Sequence, residues 1–344
     1  MEEGEVRMDQ KKTRNILIIV ACVILILAGA WYFSQPPAGF SGTPDQVSIG
    51  STSDESSALI FVAEDQGYFT KNGLNLTLRK YPNGAAAIHG METSDVDISL
   101  SAEYPFVVDV LEKKEFLVVG SINKYYGTYV VARKDRGIVN ISDLRGKRIA
   151  VPGKTIGEFY IARFLDLNGI NKQDVTLVDK LPAQSIPEFT GNGSVDALVT
   201  RKFVIESKIG PLDGNYTVWP SQNNQATYNI ISIRKDWSEG HPDTIRRLLL
   251  SLEEAERYSL KNPDEAKAIV RKNLNMSDSY MASVWPEHQF SLSLDQSLIL
   301  AMEDEARWII ANNQTDNKEI PNFLNYLYPD GMNTVKPGSV NIIR

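Results

Sequence analysis

The chain has 344 residues, enough for about two domains with a sizeable core. Its 36 Lys and Arg against 43 Asp and Glu leave a net charge of −7, which argues against a phosphate backbone as the main partner. A single cysteine, Cys22, excludes disulfide frameworks, thiolate zinc sites and CxxC chemistry, and the scattered His89, His241 and His288 exclude paired-imidazole metal motifs, so no cofactor or metal is expected.

Residues 16–33 are apolar or small and uncharged, a run long enough to cross a bilayer as one transmembrane helix. Residues 1–15 crowd Arg7, Lys11, Lys12 and Arg14 against that run, whereas no charge follows it until Asp45. The positive-inside bias predicts a cytoplasmic tail, a single-pass anchor in the cell membrane, and the remainder on the extracytoplasmic side. A cleaved secretory signal and a lipoprotein signal at Cys22 are the competing readings, and both export the same remainder. Residues 34–45, uncharged from Ser34 to Thr43 and carrying Pro36, Pro37, Gly39 and Gly42, read as a tether to a domain at 46–344.

That domain begins with the strand Val47-Ser48-Ile49-Gly50, a polar turn at 51–57 and an apolar helix from Ala58. Leu74, Leu76 and Leu78 alternate as in a half-buried strand, and 96–100 and 116–122 are further strands separated by helices. Strands alternating with helices predict an α/β fold with a mainly parallel sheet. The second half repeats the wording: Gly73-Leu74-Asn75 precedes Val96-Asp97-Ile98 much as Gly169-Ile170-Asn171 precedes Val195-Asp196-Ala197. Two lobes on one plan are expected. The runs GTYVVARK (127–134) and TYNIISIRK (227–235) flank the second lobe as paired crossover segments. Lobe I is then 46–130 plus 230–344 and lobe II is 131–229, with a cleft between. After Pro242, Ile245, Leu248, Leu249, Leu252 and Ala255 share one helical face, leaving Arg246, Arg247, Glu253 and Glu254 to solvent. With a further helix at 295–312, the C-terminal third reads as scaffold on lobe I.

The phrases at 63–76 (AEDQGYFTKNGLNL), 90–105 with its VDI core, 144–152 (LRGKRIAVP) and 193–199 (GSVDALV) resemble substrate-binding proteins of ABC transporters, specifically the nitrate, sulfonate, taurine and thiamine-pyrimidine group. The resemblance covers about residues 46–270, in the family's order. It implies a two-lobe type II periplasmic-binding fold with two crossover strands, closing on a small solute, with ABC permease and ATPase subunits as partners and a monomeric binding domain. The chain departs from the family at Thr200-Arg201-Lys202-Phe203, where an acidic residue and proline often stand. Two other functions compete: a ligand sensor with a separate signalling partner, and a thiamine-pyrimidine synthesis enzyme. The related enzymes rely on a cysteine-rich motif that is missing after Cys22.

In open α/β sheets ligands sit beyond the carboxyl ends of strands, where helix N-termini present free amides. Three segments meet that description. Ser51, Thr52 and Ser53, with Asp54, either bond a ligand or cap the following helix. Ser101, Glu103 and Tyr104 follow the first VDI strand, Tyr104 stacking on a ring or packing. Lys154, Thr155, Ile156 and Gly157 follow Ile149-Ala150-Val151, and Thr155 with Glu158 has capping-box spacing. Arg201 adds a planar bidentate donor for sulfonate, phosphate or carboxylate, or is a surface arginine. Tyr125, Tyr126 and Trp219 line the cleft near the crossovers or fill core. Asp97 and Asp196 are expected to satisfy amides at strand starts, not to act as paired acids, and His89 with Glu92 has no third metal ligand. Oxyanions call on Lys154 and Arg201, whereas a cationic ring calls on tyrosines with Asp54 or Glu103.

Overall fold

The computed structural model describes residue 15 and residues 40–343, apart from 192, 211–213 and 223. The apolar run at 16–33 lies outside the described residues; among them, no helix is long and apolar enough to cross a membrane.

In chain order, β1 (Asp45–Ser51), a single 3-10 turn (Glu55–Ser57), α1 (Ala58–Asp65), β2 (Leu74–Lys80), α2 (Gly84–Glu92), β3 (Ile98–Ala102), α3 (Glu103–Leu111) and β4 (Phe116–Tyr125) build most of lobe I. Lobe II follows as β5 (Thr128–Arg133), β6 (Arg148–Val151), α4 (Ile156–Leu167), β7 (Thr176–Asp179), α5 (Pro182–Thr190), β8 (Ala197–Arg201) and β9 (Tyr216–Pro220). The chain then returns to lobe I with β10 (Thr227–Arg234), α6 (Pro242–Lys261), α7 (Pro263–Leu274), β11 (His288–Ser293) and α8 (Gln296–Ala311). Lobe I is a six-stranded sheet in the order β11-β4-β10-β3-β1-β2, and lobe II is five-stranded in the order β7-β6-β8-β5-β9.

The expected parallel character holds only toward one edge of each sheet, where β1 pairs with β2 and β3, and β6 with β7 and β8. The strands next to the crossings are antiparallel, because a chain that leaves a sheet and re-enters it runs back along its own exit. The two segments expected to pair as crossovers sit in different sheets: β5 belongs to lobe II and β10 to lobe I. The passages between the sheets are therefore short, at 126–127 and 221–226.

Neighbouring residues of the lobe II strands face opposite sides. Val130, Ile149 and Ala197 join Ile161 and Phe164 in one core, while Val131, Ala150 and Leu198 join Phe189 in another. The repeated VD wording has a physical counterpart. Asp97 accepts the Ser48 amide and hydroxyl at 2.8 and 2.6 Å, tying β3 to β1. Asp196 accepts the Arg148 amide at 3.0 Å and its guanidinium at 2.8 Å, tying β8 to β6 in the same way.

In α6, Ile245, Leu248, Leu249, Leu252 and Ala255 are fully buried. Arg247, expected on the solvent face, is buried instead: it donates to the Gly73 carbonyl at 2.6 Å and pairs with Asp45 and Asp243. Those contacts bind the C-terminal third to the start of the first sheet.

Lobe II rests on lobe I through α4. Phe159 and Tyr160 are buried within the lobe I core, the Tyr160 hydroxyl lies 2.8 Å from Thr227 Oγ1, and Phe159 meets Trp308 edge-on. Behind Tyr160, Glu103 and Glu305 are both fully buried. Glu103 Oε2 accepts the Tyr228 amide at 3.0 Å, but Glu103 Oε1 and both Glu305 oxygens find no donor. Two carboxylates so placed cannot both be charged. Burial pushes Glu103 up to about 8, and burial with the Glu103 charge pushes Glu305 well above the carboxylate range.

The folded pair holds protons that the unfolded chain releases near 4.5, so stability falls as pH rises from about 4.5 to about 8. Glu305→Gln supplies a permanent N–H donor to Glu103 and removes one acid. Thermal melting between pH 5 and 8 should show the variant losing less stability than the wild type over that range, by on the order of 1–2 kcal/mol.

Candidate ligand-binding site

The two passages between lobes lie side by side. Thr227 is opposite Tyr125 in the β4–β10 ladder, and the buried Gln222 joins both passages. Gln222 Nε2 donates to the Tyr125 carbonyl at 2.9 Å, while its Oε1 accepts the Thr128 amide at 2.9 Å. This clamp sets the floor of the cleft.

On the floor, the Tyr125 hydroxyl donates to the Gly127 carbonyl at 2.6 Å and accepts from Arg201 Nε at 3.0 Å. The Arg201 guanidinium also lies over the Tyr125 ring, 4.7 Å from its centre. Arg201 ends β8, the strand at the middle of the lobe II sheet, so its side chain leaves the carboxyl edge toward lobe I. There its Nη2 comes within 3.7 Å of Glu55 Oε2, in the turn after β1. The Arg201 side chain keeps 42% of its surface accessible, whereas Glu55 has none, so the arginine faces open space and the glutamate lies beneath it.

Burial opposes the charge on Asp54, yet Arg201 and bonds from Ser56 and Thr52 more than offset this and hold Asp54 below the usual carboxylate range. Burial, reinforced by the Asp54 charge and opposed by Arg201, pushes Glu55 up. From β11, whose register sets His288 opposite Tyr125, the His288 ring packs 4.7 Å from the Tyr125 ring. Burial and the Arg201 charge push His288 down to about 3, so the imidazole is neutral. Beside it, Glu287 Oε1 accepts the Tyr129 hydroxyl of lobe II at 2.7 Å, and burial pushes Glu287 up. Both Glu55 oxygens, Glu287 Oε2 and His288 Nε2 are buried with no hydrogen-bond partner.

Of the residues proposed from sequence, Arg201 and the turn after β1 come together across the cleft. Within that turn the Ser51 and Thr52 hydroxyls are occupied: Ser51 Oγ lies 3.0 Å from Ser57 Oγ and accepts the Ser53 amide, and Thr52 donates to Asp54. Asp54 in turn caps the next turn through the Ser56 amide. Tyr126 is 44% exposed at the first passage, where its amide donates to the Glu287 carbonyl.

The second segment is corrected. Ser101, Glu103 and Tyr104 are buried in lobe I, Ser101 bonding the next carbonyl, Glu103 paired with Glu305, and Tyr104 reaching Gln314 at 3.3 Å. The side chains that follow β3 turn under α3 into the core. Trp219 likewise packs on Phe164 in a lobe II core.

At the third segment the capping box does not form. The Thr155 hydroxyl donates back to the Pro152 carbonyl at 2.7 Å, and Glu158 accepts the Lys154 amide at 2.8 Å, because Lys154 takes a left-handed φ of 55° that turns its N–H toward the helix. Ile156 packs on the lobe I core and Gly157 lies against Val151, 3.3 Å from where its Cβ would stand. Glu158 also meets Gln314 of lobe I at 3.3 Å, so this helix start is docked on lobe I by its own acid.

Sequence reading passed over Glu55, Glu287 and His288. Glu55 had a signal in its place next to Asp54 at a strand end. Glu287 and His288 had none, since only the pairing of β11 with β4 brings them to the cleft.

Comparison with known proteins follows the same outline. A family profile described as NMT1/THI5 like matches residues 55–266. A protein of Bacillus subtilis (strain 168) named as binding aliphatic sulfonates is 24% identical over 255 residues, covering 73% of this chain and 75% of that protein. The taurine-binding periplasmic protein of Escherichia coli (strain K12) is 26% identical over 209 residues, 59% of this chain and 63% of that protein. Among solved structures, the periplasmic aliphatic sulphonate binding protein SsuA of Escherichia coli superposes with a TM-score of 0.69 at 15% identity, covering 83% of this chain and 92% of that one. The desulfurization enzyme DSZB also superposes, at 0.59 and 15% identity, covering 86% of this chain and 99% of that one. These likenesses establish a two-lobe, periplasmic-binding-protein-like fold. Since binding proteins and an enzyme share it, function rests on the residues of the site.

Gly127 is required by close packing: a Cβ there would overlap Glu287 Oε2 and the Tyr125 hydroxyl. Gly127→Ala should push Tyr125 off Arg201 and lower stability by about 1–3 kcal/mol, read by thermal melting.

Proposed function

This chain belongs to the NMT1/THI5-like family, and on that footing we propose that it is an extracytoplasmic solute-binding protein that captures a small organic anion of the sulfonate type and delivers it to an ABC importer. One observation carries the reading: Arg201 of lobe II stands half exposed in the cleft, stacked on Tyr125 at the crossing and facing Glu55 of lobe I. A guanidinium held by its Nε and its face leaves its Nη edge for a bidentate oxyanion. A ligand touching both lobes binds the closed arrangement better than an open one, and only that difference drives closure. The closed outline, with Tyr129 on Glu287 and Phe203 on Tyr280 joining the lobes, is what a permease and its ATPase would read.

Residues 16–33 serve in this proposal as the anchor that keeps the domain at the membrane, supported by their length and by the basic residues before them. The protein acts by binding and not by catalysis. Asp97 and Asp196, the tempting acid pair, are each consumed by strand-to-strand bonds in separate lobes.

Calorimetric titration of the full-length chain with a panel of sulfonates should give saturable binding by at least one of them. Arg201→Gln should weaken it by roughly tenfold or more, the scale of a lost charge-assisted bidentate pair. Undiminished binding in the variant defeats the assignment.

A further inference from the structure

The seat that α4 takes on lobe I is built over two acids. Tyr160 has no exposed surface, and its hydroxyl lies 2.8 Å from Thr227 Oγ1. The next residue of β10, Tyr228, gives its amide to Glu103 at 3.0 Å, and Glu103 and Glu305 meet behind Tyr160. Ile156 and Phe159 pack on the same lobe I core, so the contact is largely apolar. The polar contacts at its rim are long: Arg163 to Asp304 at 3.7 Å, Lys172 to Asn312 at 3.3 Å and Gln314 to Glu158 at 3.3 Å. Pairs of that kind contribute little, so the seat of Tyr160 decides whether α4 stays docked.

The groups that face the two carboxyls bring no positive charge. They are Tyr104 from α3, Tyr160 from α4, Tyr228 from β10 and Asp304 from α8, with Glu158 of α4 acting on Tyr104. Burial pushes the three tyrosines up, and Glu158 and Asp304 have partners of their own in the Lys154 amide and Arg163. While Tyr160 is seated neither carboxyl of the pair touches water, and Glu103 Oε1 and both Glu305 oxygens have no donor, so nothing there balances two charges. Lifting α4 withdraws Tyr160 and admits water, and a solvated glutamate returns toward its ordinary value near 4.5. The docked state therefore holds protons that the lifted state releases, and rising pH favours the lifted state progressively from about 4.5 to about 8. We propose that the Tyr160 seat over Glu103 and Glu305 is a proton-dependent latch: α4 docks and the lobes close with uptake of protons by the two carboxyls, so acid favours capture of a solute and alkali its release. The proposal rests on two-lobe capture and uses none of the Arg201 contacts.

The test needs no ligand. In the full-length chain with Cys22→Ser, the exposed Leu167 of lobe II and Leu260 of lobe I are changed, Leu167→Cys and Leu260→Cys, to carry fluorophores whose energy transfer reports the distance between lobes. Between about pH 5.5 and 8.5 the chain with its native acid pair should show a growing low-transfer fraction. The ratio of lifted to docked chain should rise by up to about tenfold per pH unit for each proton released. Glu305→Gln removes one acid and gives Glu103 a permanent donor, and should flatten that rise while keeping the docked distance at the alkaline end. Glu103→Gln is the second variant, with the same outcome expected, and melting curves at each pH identify which variants are folded. A distance independent of pH with the native pair overturns the latch, whether or not Arg201 takes a sulfonate. An equal rise in a folded variant overturns it too. Where calorimetry finds a sulfonate that binds, its Kd should weaken over the same range, and a Kd independent of pH would overturn the link to capture. If no sulfonate binds, the reading of Arg201 fails and the label distances still decide the latch.

Discussion

Gln222 ties together the two passages of chain between the lobes, its amide taking the Tyr125 carbonyl and the Thr128 amide at once. The passages are only 126–127 and 221–226, so a single buried amide sets how the sheets approach. The position of Tyr125 follows from that clamp, and the position of Arg201 follows from Tyr125. Gly127 completes the arrangement, since any side chain there would meet both Tyr125 and Glu287. A cleft whose floor is this tightly specified can place one guanidinium to within hydrogen-bond tolerance, as selective capture of a small solute requires.

The lobes meet on either side of the floor by different means. On the α4 side the contact is largely apolar, with Phe159 and Tyr160 inside the lobe I core and the Glu103–Glu305 pair behind them. On the Arg201 side it is polar and incompletely satisfied, with four buried atoms lacking partners. Unpaired buried polar atoms cost stability, and those around Arg201 lie at the proposed ligand site. The same reasoning separates the two buried acid clusters. Glu103 and Glu305 press two acids together with the Tyr228 amide on one of them, whereas the buried Glu55 has the Arg201 guanidinium at 3.7 Å.

Much of the architecture was legible in the residues. Alternation at Leu74, Leu76 and Leu78, the helical face from Ile245 to Ala255, and the repeated VD wording identify elements whose cause is local, because period and burial are properties of a single segment. Arg201 reads in the sequence as a donor for an oxyanion or a surface arginine, and it ends β8. The misreadings share another cause. Tyr104 and Glu103 follow a strand in the way ligand-contacting residues do, but the rotation of α3 turns them inward, and Arg247 lies on a polar helix face that happens to cover the open ends of β1 and β2.

By itself the sequence determined the kinds of elements, their order, the division into two α/β lobes and a short list of candidate cations for an oxyanion, Lys154 and Arg201. These depend on composition and spacing along the chain. Only the tertiary structure decided that Glu55, Glu287 and His288 surround Arg201. His288 reaches Tyr125 through the β11–β4 register, and Glu55 reaches Arg201 from the other lobe. Contacts between residues so far apart in sequence are set by how sheets stack and chains cross, and no local pattern encodes them.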